Sequence, residues 1–296
     1  MLSYGSFEKY YQPLDKTQRI GEGTYGDVFR VVSHDGQPYA CKKLDMSSVP
    51  PRYRPSKMDD LENLLLMKND YLCRYHHIFY DPEQNRALLV MDYFDRCCLA
   101  DIIVYYHAKG KQIPEDTIWR VLSHMLSALA YYHTPFKAGA PKVNRIVHRD
   151  VKPANIFLAG DGRARIVDSA AYRMLDKVTV TSTIFGTLGY TPPEALAMDQ
   201  YTDKSDIWSL GACIYAMCAK KPYAYNEDPQ KLYDEIIQQP PVDVTPFGYS
   251  EDLNKALSYM LVTNPSQRFC ANDLMSYPTV KSASGPADPT WGLSFD

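Results

Sequence analysis

The stretch from Ile20 to Val28, "IGEGTYGDV", constrains the fold of this 296-residue chain more than any other. Its G-x-G-x-x-G pattern alone serves several phosphate-binding folds, so the residues after the glycines decide between them. A dinucleotide-binding fold requires a helix directly after the glycines, whereas "DVFRVVSHDGQPYACKKL" reads as two strands around an Asp-Gly turn. Gly21, Gly23 and Gly26 therefore belong to a hairpin lid whose backbone approaches phosphates closely, because no Cβ intervenes. Lys42, in "YACK" on the second strand, stands where an ammonium neutralises α- and β-phosphate oxygens.

Beyond this hairpin the pattern changes class along the chain. From Arg19 to Tyr93 the runs are short, β-branched and aromatic, among them "RYHHIFY", the turn "DPEQN" and "ALLVMDYF", and they read as antiparallel strands. One helix interrupts them: Ser56 and Asp59 form an S-x-x-D capping box after Pro55, and Met58, Leu61, Leu64 and Leu65 recur at helical spacing. From Leu99 helical patterns dominate, notably "PEDTIWRVLSHMLSALAYYH" and "KSDIWSLGACIYAMCAKK". The class is α+β, with a small sheet-rich lobe before a larger helical one. "SSVPPRYRP", "TPFKAGAPKVN" and the tail "KSASGPADPTWGLSFD" read as loops, the ordered domain ending near residue 280 before a linker or partly docked tail.

Hydrophobic residues make up 45% of the chain, enough for a substantial core. The formal charge is −3, with Lys and Arg scattered, so neither a nucleic-acid nor a membrane surface is expected. "MLSYGSFEKYYQPLDK" has no apolar signal core, and "SLGACIYAMCA" is too short to span a bilayer. Seven cysteines, an odd number without a C-x-x-C pair, fit reduced thiols in a cytoplasmic protein. Cys97 and Cys98 are expected to be the most accessible and reactive.

The strongest chemical signal is "IVHRDVKPANIFL", Ile146 to Leu158. Phosphoryl transfer needs a carboxylate that orients a hydroxyl and takes its proton (Asp150), a cation near the γ-phosphate (Lys152) and a metal ligand (Asn155). Mg²⁺ takes oxygen ligands, and Asp168, after the strand "ARIV", supplies a second carboxylate.

In the order glycine loop, strand lysine, HRD loop, metal aspartate, "GTLGYTPPEAL", "SDIWSLG" and "NPSQRF", the chain resembles a eukaryotic protein kinase from about Arg19 to Tyr277. "LLVMDYFDRCCLADII" and "VHRDVKPANIFL" are most similar to the NIMA-related serine/threonine kinases. The resemblance implies a two-lobed kinase domain over 16–280, divided near 93 and 94, with an extension over 1–15 and a tail over 281–296. It implies ATP and Mg²⁺ as cofactors, protein substrates, and regulatory or cytoskeletal protein partners. Met91 becomes the gatekeeper and Asp92 to Phe94 the hinge, while Ile20, Val28, Ala40 and Phe157 sandwich the adenine and Glu22 lies in the lid. Glu194 pairs with Arg268, Thr187 stands near Asp150 and Lys152, and Thr183 is the activating phosphosite.

Two departures bear on activity. Asp60 occupies the place of the glutamate that pairs with the strand lysine, while Glu62 is rotated about 200° away along the helix. Asp168-Ser169-Ala170 replaces Asp-Phe-Gly, which removes a packing anchor for Asp168 without removing the metal ligand. The alternative is a catalytically weak or inactive nucleotide-binding pseudokinase acting as a scaffold; a small-molecule phosphotransferase of the same fold is disfavoured by "GTLGYTPPEAL".

Overall fold

The computed structural model describes residues 1–23, 26–47, 49–95, 97–135, 145–167 and 188–291. The N-terminal lobe holds one sheet of six strands in the order β1-β5-β6-β4-β3-β2. These are β1 (Leu2–Ser3), β2 (Arg19–Gly23), β3 (Gly26–Val32), β4 (Pro38–Asp45), β5 (Tyr75–Asp81) and β6 (Arg86–Asp92). All pair antiparallel except β1, which runs parallel to β5.

Both faces of this sheet are covered, which explains the unbroken apolar run of β6. Alternate residues point to opposite faces. Leu89 and Met91 join Ala40, Leu44 and Ile78 in the main core with helix α1 (Arg54–Leu66). Leu88 and Val90 face the other way, with Phe29, Val31, Cys41 and Phe79, and there they meet Phe7 and Tyr11. Burying such side chains contributes about 1.5–3 kcal/mol each. The first residues of the chain thus pack on the outer face of the lobe, where Phe7 stacks on Tyr11 at 5.2 Å and the Tyr11 hydroxyl lies 2.6 Å from His77 Nδ1.

Helix α1 corrects one expectation. It starts before Ser56, with Tyr53 at its N-cap and Pro55 in its first turn. Proline fits there because the first N–H groups of a helix have no intrahelical acceptor. The Ser56 hydroxyl donates back to the Tyr53 carbonyl at 2.9 Å, so Ser56 and Asp59 do not form a capping box.

The helical lobe contains α2 (Leu99–Ala108), α3 (Glu115–His133), the hairpin β7 (Ile156–Leu158) and β8 (Ala164–Ile166), and α4 (Pro193–Leu196). It continues with α5 (Asp203–Ala219), α6 (Pro229–Gln238), α7 (Glu251–Met260), α8 (Ala271–Met275) and α9 (Pro278–Ser282). The two long patterns foreseen in the sequence are α3 and α5. Helix α5 starts at a true capping box: Thr202 Oγ1 accepts from the Lys204 N–H, and Ser205 Oγ accepts from the Thr202 N–H. Most of α5 is buried, including Asp206, Ile207 and Trp208. The expected pair of Arg268 with Glu194 is bidentate and buried, at 2.8 and 3.1 Å, with Arg268 also 5.1 Å from the centre of the Trp208 ring. No helix among the described residues is long and apolar enough to cross a membrane.

Candidate active site

Between the lobes, the strands place the lid and Lys42 on a common face. Gly23 pairs with Gly26 and Gly21 with Val28, so the glycines do form a hairpin. Val28 in turn opposes Lys42, and Ala40, two residues before Lys42, opposes Met91. Residues two apart on a strand share a face, which puts Ala40 and Lys42 on the same side. Gly26 adopts φ +134°, and a Cβ there would lie 1.8 Å from the Lys43 carbonyl oxygen. Gly26→Ala is therefore expected to push the lid off β4, at a cost of about 1–3 kcal/mol, and to raise the apparent KM for ATP at least several-fold. An unchanged ATP titration would show that the lid position is immaterial to binding.

At the expected hinge, the half-buried Asp92 carboxylate is tied to β5 and the residue before it. It accepts from the Arg74 N–H at 3.1 Å and lies 2.8 Å from His76 Nε2, while the Asp92 N–H donates to the Arg74 carbonyl at 3.0 Å. Met91, the expected gatekeeper, is buried. Phe94 and Phe157 come together as a stack, 5.1 Å between ring centres at 16°. Ile20 lies on β2 with its side chain exposed.

The HRD loop brings its three functional side chains together. Asp150 Oδ2 lies 3.1 Å from Lys152 Nζ, and Asn155 Nδ2 donates to Asp150 Oδ2 at 2.9 Å and to the Asp150 carbonyl at 2.8 Å. With Nδ2 committed to Asp150, the remaining polar atom of Asn155 is its Oδ1, a hard oxygen donor of the kind Mg²⁺ takes. That oxygen suits the metal. Asp168, the second expected ligand, lies outside the described residues, as do Ser169, Ala170, Thr183 and Thr187. The residue before Asp168 is tied on both sides: the Val167 N–H donates to the Asn155 carbonyl at 2.9 Å, and the Val167 carbonyl lies 3.0 Å from His148 Nε2.

What fixes this loop is a residue to which sequence reasoning assigned no role, Asp206 of α5. Its Oδ2 accepts from the His148 N–H at 2.8 Å and lies 2.8 Å from His133 Nε2; its Oδ1 accepts from the Arg149 N–H at 2.9 Å and from the Tyr201 hydroxyl at 3.3 Å. Burial alone would push this carboxyl up. The His133 hydrogen bond, the nearby imidazoles and the His148 N–H outweigh it and hold Asp206 below the usual carboxylate range. Arg149 has φ +64°, a conformation a non-glycine residue holds only when its surroundings impose it. The Asp206 bond to the Arg149 N–H is one contact that supports it. The only signal in the sequence was a carboxylate set in the apolar run "SDIWSLG".

Asp60 Oδ2 lies 3.6 Å from Lys57 Nζ. Two side chains one helical turn apart meet without any demand on helix placement. Glu62 faces the Met1 nitrogen at 2.9 Å. Cys97 and Cys98 are half-buried whereas Cys41, Cys73, Cys213 and Cys218 are buried; Cys98 Sγ lies 3.1 Å from Asp101 Oδ2 at the start of α2, and burial pushes its thiol up, which works against reactivity. Among the described residues all seven cysteines are free thiols.

A glycine lid over a strand lysine, above an Asp-Lys-Asn loop anchored to a buried helix, agrees with what sequence comparison finds. The sequence matches the protein kinase domain family over residues 14–280, and the chain belongs to that family. It is 31% identical over 269 residues to the serine/threonine-protein kinase Nek6 of Oryza sativa subsp. japonica, covering 90% of this chain and 48% of that protein. To the serine/threonine-protein kinase Nek2 of Homo sapiens it is 28% identical over 263 residues, covering 88% of this chain and 58% of that protein. To Nek1 of Mus musculus it is 32% identical over 272 residues, 90% of this chain and 21% of that protein. The similarity is to NIMA-related serine/threonine kinases, and the chain spans about half the length of the first of these relatives.

Proposed function

We propose that the chain transfers the γ-phosphate of ATP to serine and threonine hydroxyls of protein substrates. The observation that carries this reading is the geometry around Asp150, with Lys152 at 3.1 Å and Asn155 at 2.9 Å from its carboxylate, on a loop tied to Asp206. Asp150 orients the attacking hydroxyl and takes its proton, and Lys152 offers a cation beside it. Asn155 and Asp168 would hold Mg²⁺, which when bound neutralises phosphate charge. Lys42 is assigned to the α- and β-phosphates. Ile20, Val28 and Ala40 are assigned to one face of the adenine and Phe157 to the other, with Met91, Asp92 and Phe94 at its edge and Gly21, Glu22, Gly23 and Gly26 over the phosphates. Radiolabelled ATP with a generic basic protein tests the reading, with Asp150→Asn as the inactive comparison.

A second reading is motivated by Asp60 in the place of the usual glutamate and by Ser169 and Ala170 after Asp168: a nucleotide-binding scaffold with weak or no transfer. It predicts ATP binding without phosphate incorporation in the parent protein. Activation is assigned to Thr183, where a phosphate would add about −1.5 to −2 charge that Arg149 could pair with. Thr183→Ala is expected to lower activity at least several-fold; unchanged activity with no phosphate mapped to Thr183 rejects the assignment.

A further inference from the structure

The chain beyond α9 is not a loose linker. It runs back over the helical lobe as a strap, and each turn of it is fastened. The Arg120 guanidinium donates to the Gly285 and Pro286 carbonyls at 3.3 and 3.2 Å. The Ala287 N–H donates to the Gly162 carbonyl at 2.7 Å, in the turn between β7 and β8. There Gly162 has φ +75°, and a Cβ on it would stand 2.1 Å from the Ala287 oxygen. Trp291 is 2% exposed, and its indole N–H donates to the Ala159 carbonyl at 3.2 Å.

The middle of the strap reaches the strand that leads to Asp168. His124 of α3 accepts from the Ala164 N–H through Nδ1 at 3.2 Å, so its proton is on Nε2, which donates to the Gly285 carbonyl at 3.1 Å. Burial pushes this imidazole down to about 4, consistent with a neutral ring. Tyr71 stacks on His124 at 4.4 Å and 17°, and its hydroxyl donates to the Ser284 carbonyl at 2.9 Å. The Tyr71 carbonyl in turn accepts from the Ile166 N–H at 3.0 Å, two residues before Asp168. Tyr71 therefore touches the strap with its side chain and the metal-site strand with its backbone.

We propose that Tyr71 is a positioning residue for β8 and so for Asp168, and that the strap of residues 283–291 holds it in place. The consequence for catalysis rests on the kinase reading above; the positioning does not. The test compares Tyr71→Phe, which removes only the hydroxyl bond to the strap, with Gly162→Ala, which displaces Ala287. Tyr249→Phe serves as the control, since it deletes one buried hydroxyl bond, to the Ile113 carbonyl, elsewhere in the lobe. Hydrogen exchange at the Ile166 amide is expected to accelerate about fivefold or more in both strap variants and not in the control. The Mg²⁺ concentration for half-maximal activity is expected to rise in the same two variants. Exchange within about twofold of the parent, or equal acceleration in Tyr249→Phe, overturns the positioning role. Faster exchange with an unchanged Mg²⁺ requirement overturns its link to Asp168. Should the parent transfer no phosphate, the exchange still decides the positioning, and only the activity reading falls.

Discussion

Asp150→Asn is expected to lower phosphate transfer by about 10²–10⁴-fold, the usual contribution of a positioned proton acceptor. The asparagine is nearly the same shape. It keeps an oxygen for Asn155 Nδ2, and the second bond from Asn155 goes to the Asp150 backbone carbonyl, which the substitution does not touch. The fold and the ATP site should survive, so kcat falls while the apparent KM for ATP and the melting temperature hold. What is lost is the charge beside Lys152 and the capacity to take a proton at neutral pH. Transfer at the parent rate would remove Asp150 from the chemistry. If neither parent nor variant transfers phosphate while both bind ATP, the scaffold reading stands instead.

The second large effect is expected at a residue that touches no substrate. In Asp206→Asn, either orientation of the amide turns an NH₂ group toward hydrogen-bond donors. One oxygen serves the His148 N–H and His133, the other the Arg149 N–H and the Tyr201 hydroxyl. Removing one partner from a buried network of this kind costs about 3–5 kcal/mol. For a domain of this size that lowers the melting temperature by roughly 10 °C. Arg149, in a left-handed conformation, also loses a bond to its N–H, so kcat should fall even where the chain remains folded. A melting temperature within about 2 °C of the parent's, with full activity, would show the anchor to be dispensable. Because the folded carboxyl sits below its ordinary value of about 3.9, this stabilisation is complete above that pH. It drains away as pH falls further, toward the folded value.

The lobes and the HRD residues were legible because their signals are local. Alternating faces, an Asp-Gly turn and helical spacing act over a few residues, and Asp150, Lys152 and Asn155 lie in one loop. Asp206 was opaque for the opposite reason. An aspartate in the first turn of a helix ordinarily favours the macrodipole and faces water, and only the tertiary packing of α5 turns it into an anchor. Ser56 was misread because Pro55, taken as a boundary, belongs inside the first turn. The pairing of Asp60 hinges on how α1 is rotated against the sheet, which no periodicity records. Cys98 stands at an N-cap where serine or aspartate is the usual choice. For the tail, the Pro, Ser, Gly and Ala of the sequence left a linker and a partly docked segment both open, and the buried Trp291 decides for docking.

The parallel pairing of Leu2 and Ser3 with Phe79 and Tyr80 has a bearing on behaviour at high concentration. An unpaired sheet edge is a template on which a second molecule can add a strand. On one side β1 already occupies the rim of β5. On the other, β2 carries Gly21 and Gly23, and Arg19 bridged to Asp27 at 2.8 Å, a rim too short of apolar side chains to zip against a copy of itself. The β1 pairing thus covers the β5 rim at Phe79 and Tyr80, and removing the first residues is expected to expose that part of the more apolar rim.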